Sequence, residues 1–298
     1  VAERLGQLRT SWPWAPGEGV AKENRTELPL HQGPMAQVAD VPAFARAVVD
    51  AGAMPWLALA NMPPHIAEKT VRETREACDG RPFGAGIIGL DANRYRDEHI
   101  AMLERERPDF VLVAAGTVEQ AQRLERAGLK TYLHTPTPEL LRAAIGAGLR
   151  RFVLEGAEAG GHVGRLGGLV LWQLGILAIE RAIAEGVPAE SLCVVPAGGL
   201  GDAAAARALG AALLGLHRAG VKVGLQLGTA YLLADEAVST GAVSEGYREA
   251  ILAARSTVVM GDTVRAWTRV LPTPQAHEIL TRETQRLTDN TPLKERKS

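Results

Sequence analysis

Short apolar runs rich in β-branched residues recur along the chain, separated by longer stretches in which apolar positions return every three or four residues. The first pattern suits strands buried on both faces and the second suits amphipathic helices, so their alternation predicts βα units around a parallel sheet. The strand-like runs fall at 28–36, 56–60, 83–90, 110–114, 130–134, 151–155, 192–197 and 222–227. Helical patterns occupy 41–51, a stretch ending near 75, 118–127, 138–147 and 202–219. After residue 229 the pattern is helical, with a last extended stretch near 257–269.

Eight strands in strict alternation reach the number at which right-handed βα connections close into a ring. The expected fold class is therefore α/β, a (β/α)8 TIM barrel. An open doubly wound sheet is the rival, but its glycine fingerprint normally follows the first strand. Here the glycine-rich turns follow the sixth and seventh. Ala51-Gly52, Ala127-Gly128, Ala147-Gly148 and Ala219-Gly220 each sit where a helix should stop before a strand, the place where a left-handed residue ends a helix. Pro63-Pro64 and Pro136-Thr137-Pro138 stand at helix starts, where a missing N–H is harmless. The domain reading is one barrel over 28–285, a linker or extension at 1–27 and a polar tail at 286–298. The first residue is Val1, not Met, and both ends look like linkers, which reads either as a trimmed chain or as a domain cut from a larger protein.

Composition narrows the function classes. Hydrophobic residues make up 46% of the chain and aromatic residues only 4%, so aliphatic side chains are expected to build the core. The 33 basic and 34 acidic residues leave a net charge of −1, which argues against nucleic acid as a partner. No apolar run is long enough to span a bilayer and the first residues lack a signal pattern, so the expected setting is cytoplasmic, without membrane contact. Cys78, in a charged helical stretch, reads as a surface thiol; Cys193, opening an apolar strand, reads as a core residue. No metal-ligand spacing is present.

A barrel carries its chemistry at the carboxyl ends of its strands, and three clusters fall there. Gln32-Gly33-Pro34-Met35 ends the first strand; by itself it is an ordinary turn. After the sixth strand comes a loop with glycine at 156, 160, 161, 164, 167 and 168 that carries His162. A flexible surface loop with an incidental histidine is the plain reading. A histidine beside a glycine pair at a strand end is better placed to exchange protons near neutral pH. The third cluster is split between Gly198-Gly199 after the seventh strand and Gln226-Leu227-Gly228-Thr229 after the eighth, each leading into a helix. Barrels commonly hold a phosphate there on backbone N–H groups. Among the other histidines, His134 ends the fifth strand and points toward the pocket. His31 lies inside the first strand as a core or rim residue. His65, His99, His217 and His277 sit on helical or terminal segments and are expected to be solvated.

Taken in order, Gln32-Gly33-Pro34-Met35, Glu158-Ala159-Gly160-Gly161-His162, Gly198-Gly199 and Gln226-Leu227-Gly228-Thr229 resemble the nitronate monooxygenase family, formerly called 2-nitropropane dioxygenases. The similarity runs from about residue 28 to residue 270. Flavin-dependent bacterial enoyl-acyl carrier protein reductases share the barrel and the glycine–histidine loop. Segments 83–89, 132–136, 171–172 and 228–232 resemble the variant embedded in large bacterial polyketide synthases. The resemblance implies FMN, with its phosphate on Gly198, Gly199, Gly228 and Thr229 and its ring near Gly33, Pro34, Met35 and Ala36. It places His162 beside the reactive face of that ring. Further cofactor contacts are expected at Gly86, His134, Glu155, Gly160, Gly161, Gln226 and Leu227. The chain departs from stand-alone members at Gly86, where they usually carry Asn, and in a longer 201–220 segment.

The resemblance thus implies FMN-dependent oxidoreduction in the manner of a nitronate monooxygenase, with His162 as base or hydrogen-bond donor. The alternative is enoyl-thioester reduction, with NAD(P)H as reductant and other polyketide synthase domains as partners. The substrate is accordingly a small molecule or a carrier-bound acyl group. A third reading is a barrel module without catalysis.

Overall fold

In the computed structural model, which describes residues 12–264 and 266–289, parallel strands close into a barrel. In chain order the strands are β1 (Leu30–Gln32), β2 (Met54–Ala58), β3 (Gly84–Ile88), β4 (Phe110–Ala114), β5 (Lys130–His134), β6 (Arg151–Glu155), β7 (Gly161–His162), β8 (Cys193–Ala197), β9 (Lys222–Val223), β10 (Leu225–Leu227), β11 (Val258–Met260) and β12 (Thr268–Val270). The sheet runs β10-β1-β2-β3-β4-β5-β6-β8-β9, and β10 also pairs with β8, so the ring is complete. β9 and β10 are two pieces of the eighth strand, separated at Gly224. A side chain there would lie 2.3 Å from Val20 Cγ2 and 3.0 Å from the Pro29 carbonyl, so only glycine fits. Closure is in register, with Leu30, His31 and Gln32 opposite Leu225, Gln226 and Leu227.

The expected strands at 110–114, 130–134 and 151–155 form with those bounds. Two helices that the sequence pattern did not single out complete the alternation, Arg96–Glu106 and Gly168–Ala184. The first buries only His99, Ile100, Met102 and Leu103 amid charged residues. The second is apolar all round, leaving Leu169, Val170 and Leu177 exposed, so neither shows a clean helical stripe. No helix among the described residues is long and apolar enough to cross a membrane.

Aliphatic residues build the layer between strands and helices, as expected from composition. The barrel interior combines Val20, Met54, Leu112, Val153 and Val195 with three aromatic rings, Trp56, Phe110 and Tyr132, which meet edge-to-face or tilted at 5.5–6.5 Å. Aromatic pairs favour such geometry. Cys193 belongs to this interior. Cys78 is also fully buried, and burial pushes its thiol up to about 11, so it is not the surface thiol expected. His99 is likewise buried, its Nε2 2.9 Å from the Met62 carbonyl oxygen, and not solvated. His65 and His277 are exposed, and His217 is half-buried.

Residues 12–27, within the stretch read as a linker or extension, pack onto the barrel. A short helix, Val20–Asn24, closes the amino-terminal end of the barrel, while residues 1–11 lie outside the described residues. Buried Asn24 donates from Nδ2 to Nε2 of His31 at 2.6 Å and accepts from the Tyr132 hydroxyl at 2.9 Å. Glu23 binds Lys222 at 2.7 Å, Arg151 at 2.8 Å and Lys130 at 3.3 Å, and Arg151 also reaches Glu125 at 3.0 Å. The contacts with Lys130, Tyr132, Arg151 and Lys222 were invisible to sequence because those partners are more than a hundred residues from Glu23 and Asn24. At the other end, the helix Pro274–Thr288 runs into the stretch read as a tail; residues 290–298 lie outside the described residues.

Burial holds His31 down to about 3, so it is neutral in the folded barrel. Its folded pKa lies below its unfolded one, so as pH falls below about 6.5 only the unfolded chain takes up the proton. Stability should therefore drop by about 2 kcal/mol between pH 7 and pH 5, with more lost toward pH 3. Denaturant unfolding at the two pH values measures this, and an imidazole resonance of His31 that titrated near pH 6 would contradict it.

Candidate functional site

The two-residue period of each strand decides which side chains reach the carboxyl-terminal mouth. Trp56, Leu112, Tyr132, Val153 and Val195 face the interior. Two residues on, the same alternation brings Ala58, Ala114, His134, Glu155 and Ala197 to the mouth. Gln226 shares the inward face of its register partner His31. A side chain at Gly33 would come within 3.1 Å of Gln226 Cγ, so Gly33 joins the same layer. Barrel layers are usually filled by bulky branched residues. Here alanine and glycine dominate, leaving a shallow floor on which three polar side chains stand.

Those three are not equally satisfied. His134 Nδ1 lies 2.8 Å from Glu155 Oε2, while its buried Nε2 has no hydrogen-bond partner among the described residues. The buried Oε1 of Gln226 has none either. Unpaired buried polar atoms are expensive and rare, so two of them on one floor mark where an external polar group belongs.

Around the floor, Ala197 and Gln226 are register partners, so Gly198-Gly199 and Gly228-Thr229 emerge side by side. Gly198 and Gly199 have φ of 96° and 67°, and a side chain at Gly198 would lie 2.9 Å from Ala159 N. Glycine is therefore required there by backbone shape as well as by any ligand. The helix that follows, Ala203–Arg218, is capped by its own Asp202, whose carboxylate accepts from Ala205 N at 2.8 Å. An anion at this turn would rest on the glycine backbone, not on that helix end. Glu158 accepts from Gly168 N at 2.6 Å and occupies the start of the Gly168–Ala184 helix in the same way.

His162 is exposed on β7. The glycine loop is not loose: β7 pairs antiparallel with β12, Thr268 opposite His162, and β12 pairs with β11. Arg269 Nε donates to the Ala157 carbonyl at 2.8 Å, and Val163 N donates to Trp267 O at 2.9 Å. The extended stretch near 257–269 thus forms a hairpin that carries the histidine. Among the described residues, the His162 ring has no hydrogen-bond partner. It opens onto a cleft of about 470 Å³ with Asn61, Ile88, Asn93, Arg94 and Tyr95.

The candidate residues do not all converge. Gly198, Gly199, Gly228 and Thr229 do not line the cleft that holds His162. Pro34 folds over Gly86, where a side chain would come within 2.8 Å of its Cβ, so Gly86 serves loop packing. Gly160 and Gly161 belong to the arm carrying His162; Met35 and Ala36 lie in the turn after β1. Arg94, with its guanidinium 4.4 Å from the Tyr95 ring centroid, was not singled out from sequence. Its one signal was its position in the loop after the third strand. No cluster of metal-ligating side chains exists among the described residues.

A closed parallel barrel with a polar-studded floor and a histidine arm at its carboxyl-terminal mouth is the frame of a barrel oxidoreductase. The sequence matches the nitronate monooxygenase family over residues 89–274, and the chain belongs to that family of oxidoreductases. It is 28% identical over 272 residues to a nitronate monooxygenase of Paraburkholderia phytofirmans, spanning 78% of this chain and 70% of that protein. Two solved structures are similar. FabK from Thermotoga maritima has a TM-score of 0.74 and 27% identity, covering 93% of this chain and 80% of that one. Nitroalkane oxidase from Streptomyces ansochromogenes has a TM-score of 0.67 and 25% identity, covering 87% and 80%.

Proposed function

We propose that this protein is an FMN-dependent oxidoreductase that oxidises nitronates or similar carbon acids. The observation that carries the proposal is the flat alanine–glycine floor bearing two unpaired buried polar atoms, His134 Nε2 and Gln226 Oε1. A planar, polar-edged ring fits that floor, and the paired turns at Gly198-Gly199 and Gly228-Thr229 would hold its phosphate. Bound FMN would supply the redox chemistry, accepting the electron pair that the substrate carbon gives up. The remaining work falls to the chain. Ile88 supplies an apolar wall, and His162 presents a base or a hydrogen-bond donor to the substrate across the cleft. The test is direct: purified protein should release FMN on denaturation and consume oxygen with alkyl nitronates. Protein that stays colourless after incubation with FMN defeats the reading.

A second reading is enoyl-thioester reduction with NAD(P)H, within a polyketide assembly line and on a carrier-bound acyl group. It is favoured by Arg94, for which no carboxylate partner exists among the described residues, at the edge of a cleft suited to an anionic tail, and by the likeness to FabK. Rapid reduction of the bound FMN by NAD(P)H, followed by reoxidation with an enoyl thioester and not with nitronates, would put it first.

The phosphate assignment has its own test. A methyl group at Gly228 would meet nothing closer than Met35 Sδ at 3.8 Å, so Gly228→Ala should fold normally. The same methyl would stand where phosphate oxygens approach the backbone. FMN affinity should fall about tenfold or more, roughly 1.4 kcal/mol, while riboflavin affinity stays put. Calorimetric titration with both ligands checks this, and equal losses would move the phosphate elsewhere.

A further inference from the structure

His134 and Glu155 end the neighbouring strands β5 and β6, both facing inward at the mouth. Their 2.8 Å contact uses Nδ1, which donates to the carboxylate. That leaves Nε2, on a side chain more than nine-tenths buried, directed away from Glu155 and without a hydrogen-bond partner among the described residues. His31 and His99 also have one unpaired ring nitrogen each. His31 lies inside the barrel against Trp56 and Tyr132, and His99 sits outside it on the Arg96–Glu106 helix with its Nε2 on the Met62 carbonyl; neither ring forms an ion pair with a carboxylate among the described residues. His134 stands at the mouth with its ring paired to a carboxylate. A buried imidazole backed by a carboxylate is a donor prepared in advance, because the acceptor on Nδ1 fixes the ring's orientation and stabilises a proton on the opposite nitrogen.

We propose that His134, held by Glu155, donates a hydrogen bond from Nε2 to the ring of FMN on this floor and thereby raises the cofactor's reduction potential. The inference rests on the FMN reading above. Its logic is differential binding. The reduced ring carries more negative charge than the oxidised ring, so a fixed proton-bearing donor stabilises the reduced form more. His134 contacts the cofactor; Glu155 is a positioning residue that acts through it.

The experiment is measurement of the potential of bound FMN by dye equilibration in the wild type, Glu155→Gln and His134→Leu. Glutamine keeps an acceptor for Nδ1 and removes only the charge, so Glu155→Gln should retain its FMN. Its potential should become more negative by the equivalent of a tenfold or greater loss of preference for reduced over oxidised FMN, about 30 mV for a two-electron couple. His134→Leu should shift it at least as far. A potential that is unchanged or more positive in Glu155→Gln overturns the inference, since a more positive value means that the pair presents net negative charge to the ring. If His134→Leu does not fold, Glu155→Gln decides alone. Wild-type protein that binds no FMN overturns the functional reading and this inference together; bound FMN with unmoved potentials overturns this inference only.

Discussion

Replacing His162 with alanine should leave the melting temperature and FMN content near wild type while turnover falls a hundredfold or more. The structural half follows from exposure. The side chain is exposed, and β7 is held to β12 by main-chain pairing that alanine preserves. Surface substitutions of this kind change stability by about 0.5 kcal/mol or less. The functional half follows from position: His162 has no partner among the described residues and opens onto the cleft, and losing a general acid–base group typically removes two to four orders of magnitude. Steady-state oxygen consumption with a nitronate reads the effect. Undiminished turnover in both the nitronate and the NAD(P)H–enoyl thioester assays would remove His162 from the mechanism.

The largest stability effect should come from the opposite end of the barrel. Burial alone would raise the pKa of Glu23, but hydrogen bonds from Lys222 and Arg151 and the charges of Arg151 and Lys130 overcome it and hold the group at about 2. Glu23→Ala leaves those cations facing one another at the amino-terminal end of the barrel, with only Arg151 keeping a second carboxylate among the described residues, Glu125. Breaking one side of such a cluster costs about 3–5 kcal/mol. The sign with pH is fixed by the depressed folded pKa. Glu23's contribution is complete above about pH 4.5 and is lost as pH falls toward 2. Urea unfolding of both proteins should give a gap that is full at pH 7 and narrows below pH 4.5. Equal stabilities at pH 7 would show that the cluster contributes nothing net.

Sequence periodicity reached the barrel because its signals are local. β4 is a continuous apolar run, and β5 and β6 are short apolar cores with polar or charged residues at their ends, so the limits of all three could be read residue by residue. β1 could not: the apolar run from 28 to 36 continues past Gln32, but Gly33-Pro34 turns the chain over Gly86 after three strand residues. The five-residue floor helix was illegible for another reason. It carries no period of its own, and its partners include the distant residues Lys130, Tyr132, Arg151 and Lys222. The site was legible to the same degree. His162, His134 and Glu155 could be picked as strand-end residues, and both glycine turns could be placed. That His134 is locked to Glu155, that Asp202 caps the helix after Gly198-Gly199, and that β12 carries His162 are facts of tertiary contact. Arg94 sits in a polar loop whose composition says nothing of the cleft beneath it.

The floor cluster and the ring closure also govern the order in which the molecule can be made. Glu23 meets Lys222 across 199 residues, and Leu30 pairs with Leu225 at nearly the same separation. Neither contact can form on a ribosome until most of the chain has been synthesised. Until then Val20, Leu30 and the open edge of β1 wait without the partners that bury them. Long-range closure of this kind makes folding slow and leaves an edge exposed to other chains while it proceeds. Growth temperature and chaperone supply should therefore limit the yield of soluble protein more than final stability does.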